Sequence, residues 1–372
     1  MTSYDSPAPA SLTRCIGCHD QCMFTSVEVV VSGRQDLVMS RLASSAREVT
    51  TGALAADLFL LDALHMSTDQ GAQQRHCIDL DGSQDPREWL AWARAAVAYL
   101  AGTDSAAVQE LRRARTEAEQ RLSAASPAVG DIDGDADIVL VRDALTGSLD
   151  PASGEALRTV FEAQGLRVAE AELVSCGTLE HFAGLSSDAA KAAADSLARL
   201  GHHGSATLVT DDPAVAYAAE RIWPSHGSAP RVRHLGEVLA EMGSTSETSS
   251  TGPRVVINDV GLLAGDLGIV EPLRVVLRSA DYQIVEPPSV GADARDDGPM
   301  FGYPDGDLRA AIGAARYEEL IGTGAELIVT VAPWSRRNLP AAGPVPVVSL
   351  AEAVRDGQPT PLAVHSGAQA GR

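Results

Sequence analysis

The rhythm of hydrophobic and polar positions changes twice along this chain. From Pro86 to Ser123, PREWLAWARAAVAYLAGTDSAAVQELRRARTEAEQRLS sets apolar side chains at helical spacing in a background of Ala, Leu, Arg and Glu with a single Gly, which predicts two helices. The stretch SPAVGDIDGDAD then breaks the rhythm with Pro, Gly and Asp and leads into DIVLVRD, a short apolar run that predicts a strand. From there strands and helices alternate, and the series occurs twice. The first runs strand DIVLVRD, helix SGEALRTVFEAQG, strand LRVAEAELV, a turn at Cys176 and Gly177, helix SDAAKAAADSLARLG, strand ATLVTDDP and helix AVAYAAERIW. The second runs strand RVVINDV, helix EPLRVVLRSA, strand YQIVEPP, a turn at Asp296 to Gly298, helix GDLRAAIGAARYEELIGTG, strand ELIVTVAP and helix RRNL. Such alternation predicts two tandem α/β units whose parallel sheets are covered on both faces. Ligands of open sheets bind off the carboxyl ends of the strands, here near Cys176, Asp212, Asp296 and Pro333.

Composition narrows the function classes. With 372 residues, 45% of them hydrophobic, the chain can bury the cores of two or three domains. Its formal net charge of -21 sets it against nucleic acid, whose phosphates demand Lys and Arg. No run of about 18 apolar residues occurs, so no membrane span is expected. The start MTSYDSPAPASLTR lacks both the charged and the apolar part of a secretory signal, and a cytoplasmic location follows. The Ser-, Thr- and Gly-rich GSTSETSSTGPR reads as a second linker. Trp89 and Trp92, three apart on a predicted helix, read as core.

Four of the five cysteines carry the candidate chemistry: Cys15, Cys18 and Cys22 in LTRCIGCHDQCMF, and Cys77 in STDQGAQQRHCIDLD. Their grouping suits metal binding in a reducing compartment better than a disulfide framework. Bacterial ferredoxins use C-x2-C-x2-C-x3-C-P, in which the fourth cysteine ligates the other cluster. Leu12, Cys15, Cys18 and Cys22 stand at those spacings, as do Ser67, Gln70, Gln73 and Cys77, so the motif reads as written twice with different thiolates lost. The swap assigns Cys15, Cys18 and Cys77 to one cluster and leaves Cys22 alone on the other. Either Cys22 has moved over to complete a four-cysteine [4Fe–4S] cube, or one iron is open to water, His19, His76 or a substrate. Zinc on four cysteines is a further alternative, less well matched by the flanking residues. The expected cofactor-binding and metal-ligating residues are Cys15, Cys18, Cys22 and Cys77. Cys176, alone, reads as a small buried hydrophobe.

Across nearly its whole length the chain resembles the iron–sulfur subunits of the glycolate oxidase, anaerobic glycerol-3-phosphate dehydrogenase and heterodisulfide reductase group, which join a two-cluster ferredoxin domain to two cysteine-rich CCG domains. GLLAGDLGIVEPLRVVL stands where that family writes a Cys-led segment ending in Glu-Pro-x-Arg-x-x-Leu, and GTGAELIVTVAPWSRRNL stands where it writes Cys-Pro-x-Cys. Glu271, Pro272, Arg274, Gly298 and Pro333 keep the framework, while Gly261, Asp296, Asp297, Ala332 and Ser335 occupy cysteine positions. In the first unit Ser175, Cys176 and Gly177 resemble the Cys-Cys-Gly turn, and Asp212 to Val215 replace Cys-Pro-x-Cys.

The expected architecture is α/β: a mostly helical, ferredoxin-like iron–sulfur domain over 1–125, CCG-like units over 126–242 and 255–358 joined by a linker over 243–254, and a tail over 359–372. The resemblance implies an electron-transfer subunit of an oxidoreductase that carries one [4Fe–4S] cluster, with no second cubane and no CCG-bound cluster. Its implied partner is a flavin-containing dehydrogenase subunit or other redox protein, FAD residing only on that partner. The alternatives are a structural subunit that has lost redox function, or an enzyme acting through an open iron.

Overall fold

The computed structural model describes residues 8–16, 27–66, 86–125, 136–201, 205–243, 252–295, 297–301 and 306–357. The described residues of the N-terminal third form helices: α1 (Ala10–Ile16), α2 (Val27–Ser32), α3 (Met39–Thr50), α4 (Leu58–His65), α5 (Pro86–Ala101) and α6 (Ala106–Ala125). α4 starts where Asp57 accepts a hydrogen bond from the Leu60 amide at 2.8 Å, which satisfies one of the free N–H groups of a first turn. α1 and α3 pack on α5, and so does α4. Leu12, Leu42, Leu61, Leu64, Trp89, Leu90 and Val97 form the shared core. Trp89 and Trp92 are core residues, as their spacing suggested.

Two parallel four-stranded sheets follow, giving the expected α/β class. In the first, β1 (Ile138–Asp143), α7 (Pro151–Ala163), β2 (Val168–Leu173), α8 (Thr178–Phe182), α9 (Ser186–Leu200), β3 (Thr207–Thr210), α10 (Pro213–Tyr217), β4 (Val232–His234) and α11 (Leu235–Met242) build the order β2-β1-β3-β4. In the second, β5 (Arg254–Asn258), α12 (Glu271–Ser279), β6 (Gln283–Ile284), α13 (Gly306–Ile321), β7 (Leu327–Thr330), α14 (Pro333–Asn338), β8 (Val347–Ser349) and α15 (Leu350–Asp356) repeat it as β6-β5-β7-β8. The central strands β1 and β5 are apolar through their middle residues, Ile138 to Val141 and Val255 to Ile257, as suits strands covered on both faces. Strands β4 and β8, three residues each, were not anticipated. The helices behind them begin with capping boxes, His234 with Glu237 and Ser349 with Glu352.

The two sheets pack through equivalent elements. α7 of the first lies on α15 of the second, and α11 of the first lies on α12 of the second. The 3-10 turn Gly147–Leu149 beyond β1 meets α14 beyond β7, while the π-helical turn Leu262–Asp266 beyond β5 meets α10 beyond β3. This reciprocity sets the carboxyl ends of the strands of one unit against those of the other, and one continuous apolar core runs through both sheets.

Helix α5 ties the helical layer to this pair. Arg94 donates to the Leu64 carbonyl from Nε at 3.0 Å and from Nη2 at 2.8 Å, and to the Phe182 carbonyl from Nη1 at 2.6 Å. Arg87 forms a forked ion pair with Asp266, at 2.8 and 2.6 Å, while its guanidinium lies 5.3 Å from the Phe182 ring centre. Gly184, at φ +79°, lets the first unit approach so closely that a Cβ there would sit 2.4 Å from the Ala91 carbonyl oxygen. Among the described residues no helix is long and apolar enough to cross a membrane.

Candidate functional site

Of the four cysteines expected to hold a cluster, Cys15 is described. It sits in the last turn of α1, half-buried against the helical core together with Ile16 and Met66. Cys18, Cys22 and Cys77 lie outside the described residues, as do His19, His76 and Asp296. Leu12, at the first position of the motif, is 2% exposed and belongs to the apolar core, so it can shield a group bound nearby but cannot ligate it. Cys15 and Met66 mark where the two cysteine-bearing stretches leave the helices, and both contact one core. The second stretch ends at α5, on which α1 packs. Four thiolates are a donor set that fits an iron–sulfur cube. Among the described residues, no group of three or more His, Cys, Asp or Glu could hold a metal ion.

The carboxyl edge of the first sheet gathers a buried acidic network. Asp143, the last residue of β1, accepts from the Cys176 amide at 2.7 Å and from the Leu145 amide at 2.7 Å. Asp212 caps α10 by accepting from the Ala214 amide at 2.8 Å, and its other oxygen accepts from the Thr146 hydroxyl. Asp211 accepts from the Ser153 hydroxyl, and Glu180 from the Ser175 hydroxyl at 2.7 Å, with Arg115 3.3 Å away. Burial, followed by the charge of Asp143, pushes the Asp212 carboxyl up to about 7. Burial likewise raises Glu180 to about 7 and Asp150 to about 6. The Cys176 thiol, fully buried and facing the charges of Asp143 and Asp212, is held well above the usual thiol range. It therefore stays protonated, and its neighbours are carboxylates already engaged with hydroxyls and amides. One protonated thiol does not fit an iron–sulfur cluster.

The second edge is organised by an amide instead. Asn258, closing β5, donates to Asp297 at 2.6 Å and to the Ser335 hydroxyl at 3.3 Å, and accepts from Arg316 Nε at 2.9 Å. Asn338 donates to Asp297 at 3.4 Å and to the Pro299 carbonyl at 3.0 Å. Burial raises the Asp297 pKa against these hydrogen bonds. Asp297 and Ser335, two of the positions at which the resembled family writes cysteine, thus meet around one asparagine. Arg274 forks onto buried Asp259 at 3.0 and 2.7 Å and also onto Glu286. Among the described residues this edge contains no thiol, so its donor set does not fit a cluster either.

Sequence reasoning placed Cys176, Asp212, Asp296 and Pro333 at the strand ends, Asp296 lying outside the described residues, but missed the organisers Asp143, Asn258, Arg316 and Asn338. A polar residue closing an otherwise apolar central strand, as in DIVLVRD and RVVIN, was the available signal. No protein-family model matches this chain, and no curated protein matches it.

Proposed function

We propose that the chain is an iron–sulfur electron-transfer subunit of a flavin-linked oxidoreductase, a degenerate member of the group it resembles, carrying one [4Fe–4S] cluster on Cys15, Cys18, Cys22 and Cys77. The observation that supports this reading is that Cys15, in the last turn of α1, and Met66, which follows α4, both pack against one helical core, so the described residues flanking the two cysteine-bearing stretches share that core. A cluster bound there supplies one-electron transfer. The chain's own part is to hold the thiolates, with Leu12 and Ile16 limiting access of water to the site. The two sheets, whose carboxyl edges are filled by their own side chains, serve as a scaffold. The flavin belongs to the partner subunit.

A second reading, a purely structural subunit, is favoured by those same filled edges. Iron and acid-labile sulfide assays after anaerobic reconstitution of the full chain separate the two. The carrier requires about four irons per chain; none after careful reconstitution would leave only the scaffold.

A further inference from the structure

We propose that Arg309 and Arg337 form a binding site for a small oxyanion, a phosphate- or carboxylate-bearing ligand, where α13 meets the end of α14. Arg337 is tethered by two neutral acceptors, its Nη2 donating to the Pro299 carbonyl at 2.9 Å and its Nε to Asn338 Oδ1 at 3.3 Å. Arg309 donates from Nη1 to the Arg337 carbonyl at 3.3 Å. These bonds hold both guanidinium groups in place without cancelling their charge. Neither has a carboxylate partner among the described residues, whereas the adjacent Arg336 lies 3.8 Å from both Asp150 and Glu352. Asp307, exposed in the first turn of α13, forms no ion pair with either.

Two like charges held together in a chain of net charge -21 need a physical reason. Burial, and then the positive charge of Arg309, pull the Arg337 pKa down to about 10. The shift reflects a guanidinium largely stripped of water beside another cation, offset only in part by the charge of Asp297. Asp297 offers little relief, because burial raises its own pKa and its two oxygens already accept from Asn258 and Asn338. An oxyanion accepts forked N–H donors from both groups and compensates both charges, and guanidinium suits this role better than ammonium because its donors match the geometry of phosphate and carboxylate. Arg309 also lies near the start of a 16-residue helix, whose dipole favours an anion there.

Calorimetric titration of the full chain with inorganic phosphate at low ionic strength tests the site, and a parallel titration with citrate distinguishes phosphate-bearing from carboxylate-bearing ligands. Saturable binding of at least one anion is expected, about tenfold or more weaker in Arg309→Gln and unchanged in Arg278→Gln, an exposed arginine elsewhere. Arg309 is the primary position to alter because it is only partly buried, and circular dichroism verifies that the variant folds. Saturable heat from neither anion, or equal affinity in Arg309→Gln and the unaltered chain, overturns the proposal.

Discussion

Replacing Asp212 with Asn removes a charge from the interior of the first sheet's carboxyl edge while keeping its hydrogen bonds. The amide oxygen can still accept from the Ala214 amide, and the amide nitrogen can donate to the Thr146 hydroxyl, which turns to accept. In the folded chain the Asp212 carboxyl rises from its ordinary 3.8 to about 7. A raised carboxyl pKa means that the folded state holds the proton longer than the unfolded one. The contribution to stability is therefore greatest in acid and is lost as pH climbs from the unfolded to the folded value. Between about pH 5 and pH 8 the unfolded carboxyl is already ionised, while the folded one must still give up its proton. Linkage over that interval amounts to a loss of about 3 kcal/mol, at about 1.4 kcal/mol per pKa unit. Urea unfolding of both proteins at pH 5, 6.5 and 8 reads this directly. Asp212→Asn should show a flatter profile by about 3 kcal/mol and exceed the unaltered chain at pH 8. An identical slope in the two proteins, or a variant less stable at pH 8, would refute the picture of a desolvated, charge-crowded carboxyl.

Two further substitutions probe the helical layer. Gly184→Ala adds a methyl group 2.4 Å from the Ala91 carbonyl oxygen and 3.0 Å from the Ala95 nitrogen, at a φ of +79°. It should lower stability by about 2 to 4 kcal/mol in urea unfolding, and a loss below about 0.5 kcal/mol would contradict the close contact between α5 and the first unit. Cys22→Ser should reduce the iron bound after reconstitution if Cys22 completes the cube. Unchanged iron content would instead assign three cysteine ligands and an open iron.

The fold was legible in the sequence because its signals are local and repeated. DIVLVRD and RVVIN are apolar runs that only a doubly covered strand explains, and EPLRVVLRSA announces α12 to within a residue. Strands β4 and β8 escaped notice because three residues carry no period, and what fixes them is pairing, Val209 with Arg233 and Val329 with Val348. The reciprocal packing of the two sheets was also out of reach: it depends on which helix faces pair over long sequence separations, and no residue pattern records that. At the candidate site, the strand-end positions were legible but their chemistry was not. Asp212 was placed at a strand end and Asp297 in a turn without their partners, and both are buried, since Thr146 in one unit and Asn258 in the other satisfy them from distant segments. The arginine pair at Arg309 and Arg337 was equally invisible, because the two are brought together by the packing of α13 on α14.

The most direct measurement for the central claim is paramagnetic resonance of the full chain, reconstituted anaerobically and reduced, beside Cys15→Ser treated in the same way. One cubane signal of about one spin per chain, lost or sharply weakened in Cys15→Ser, is the predicted result. A chain that yields no iron-dependent signal, or one whose signal is untouched by loss of Cys15, contradicts a single cluster held at the N-terminal cysteines.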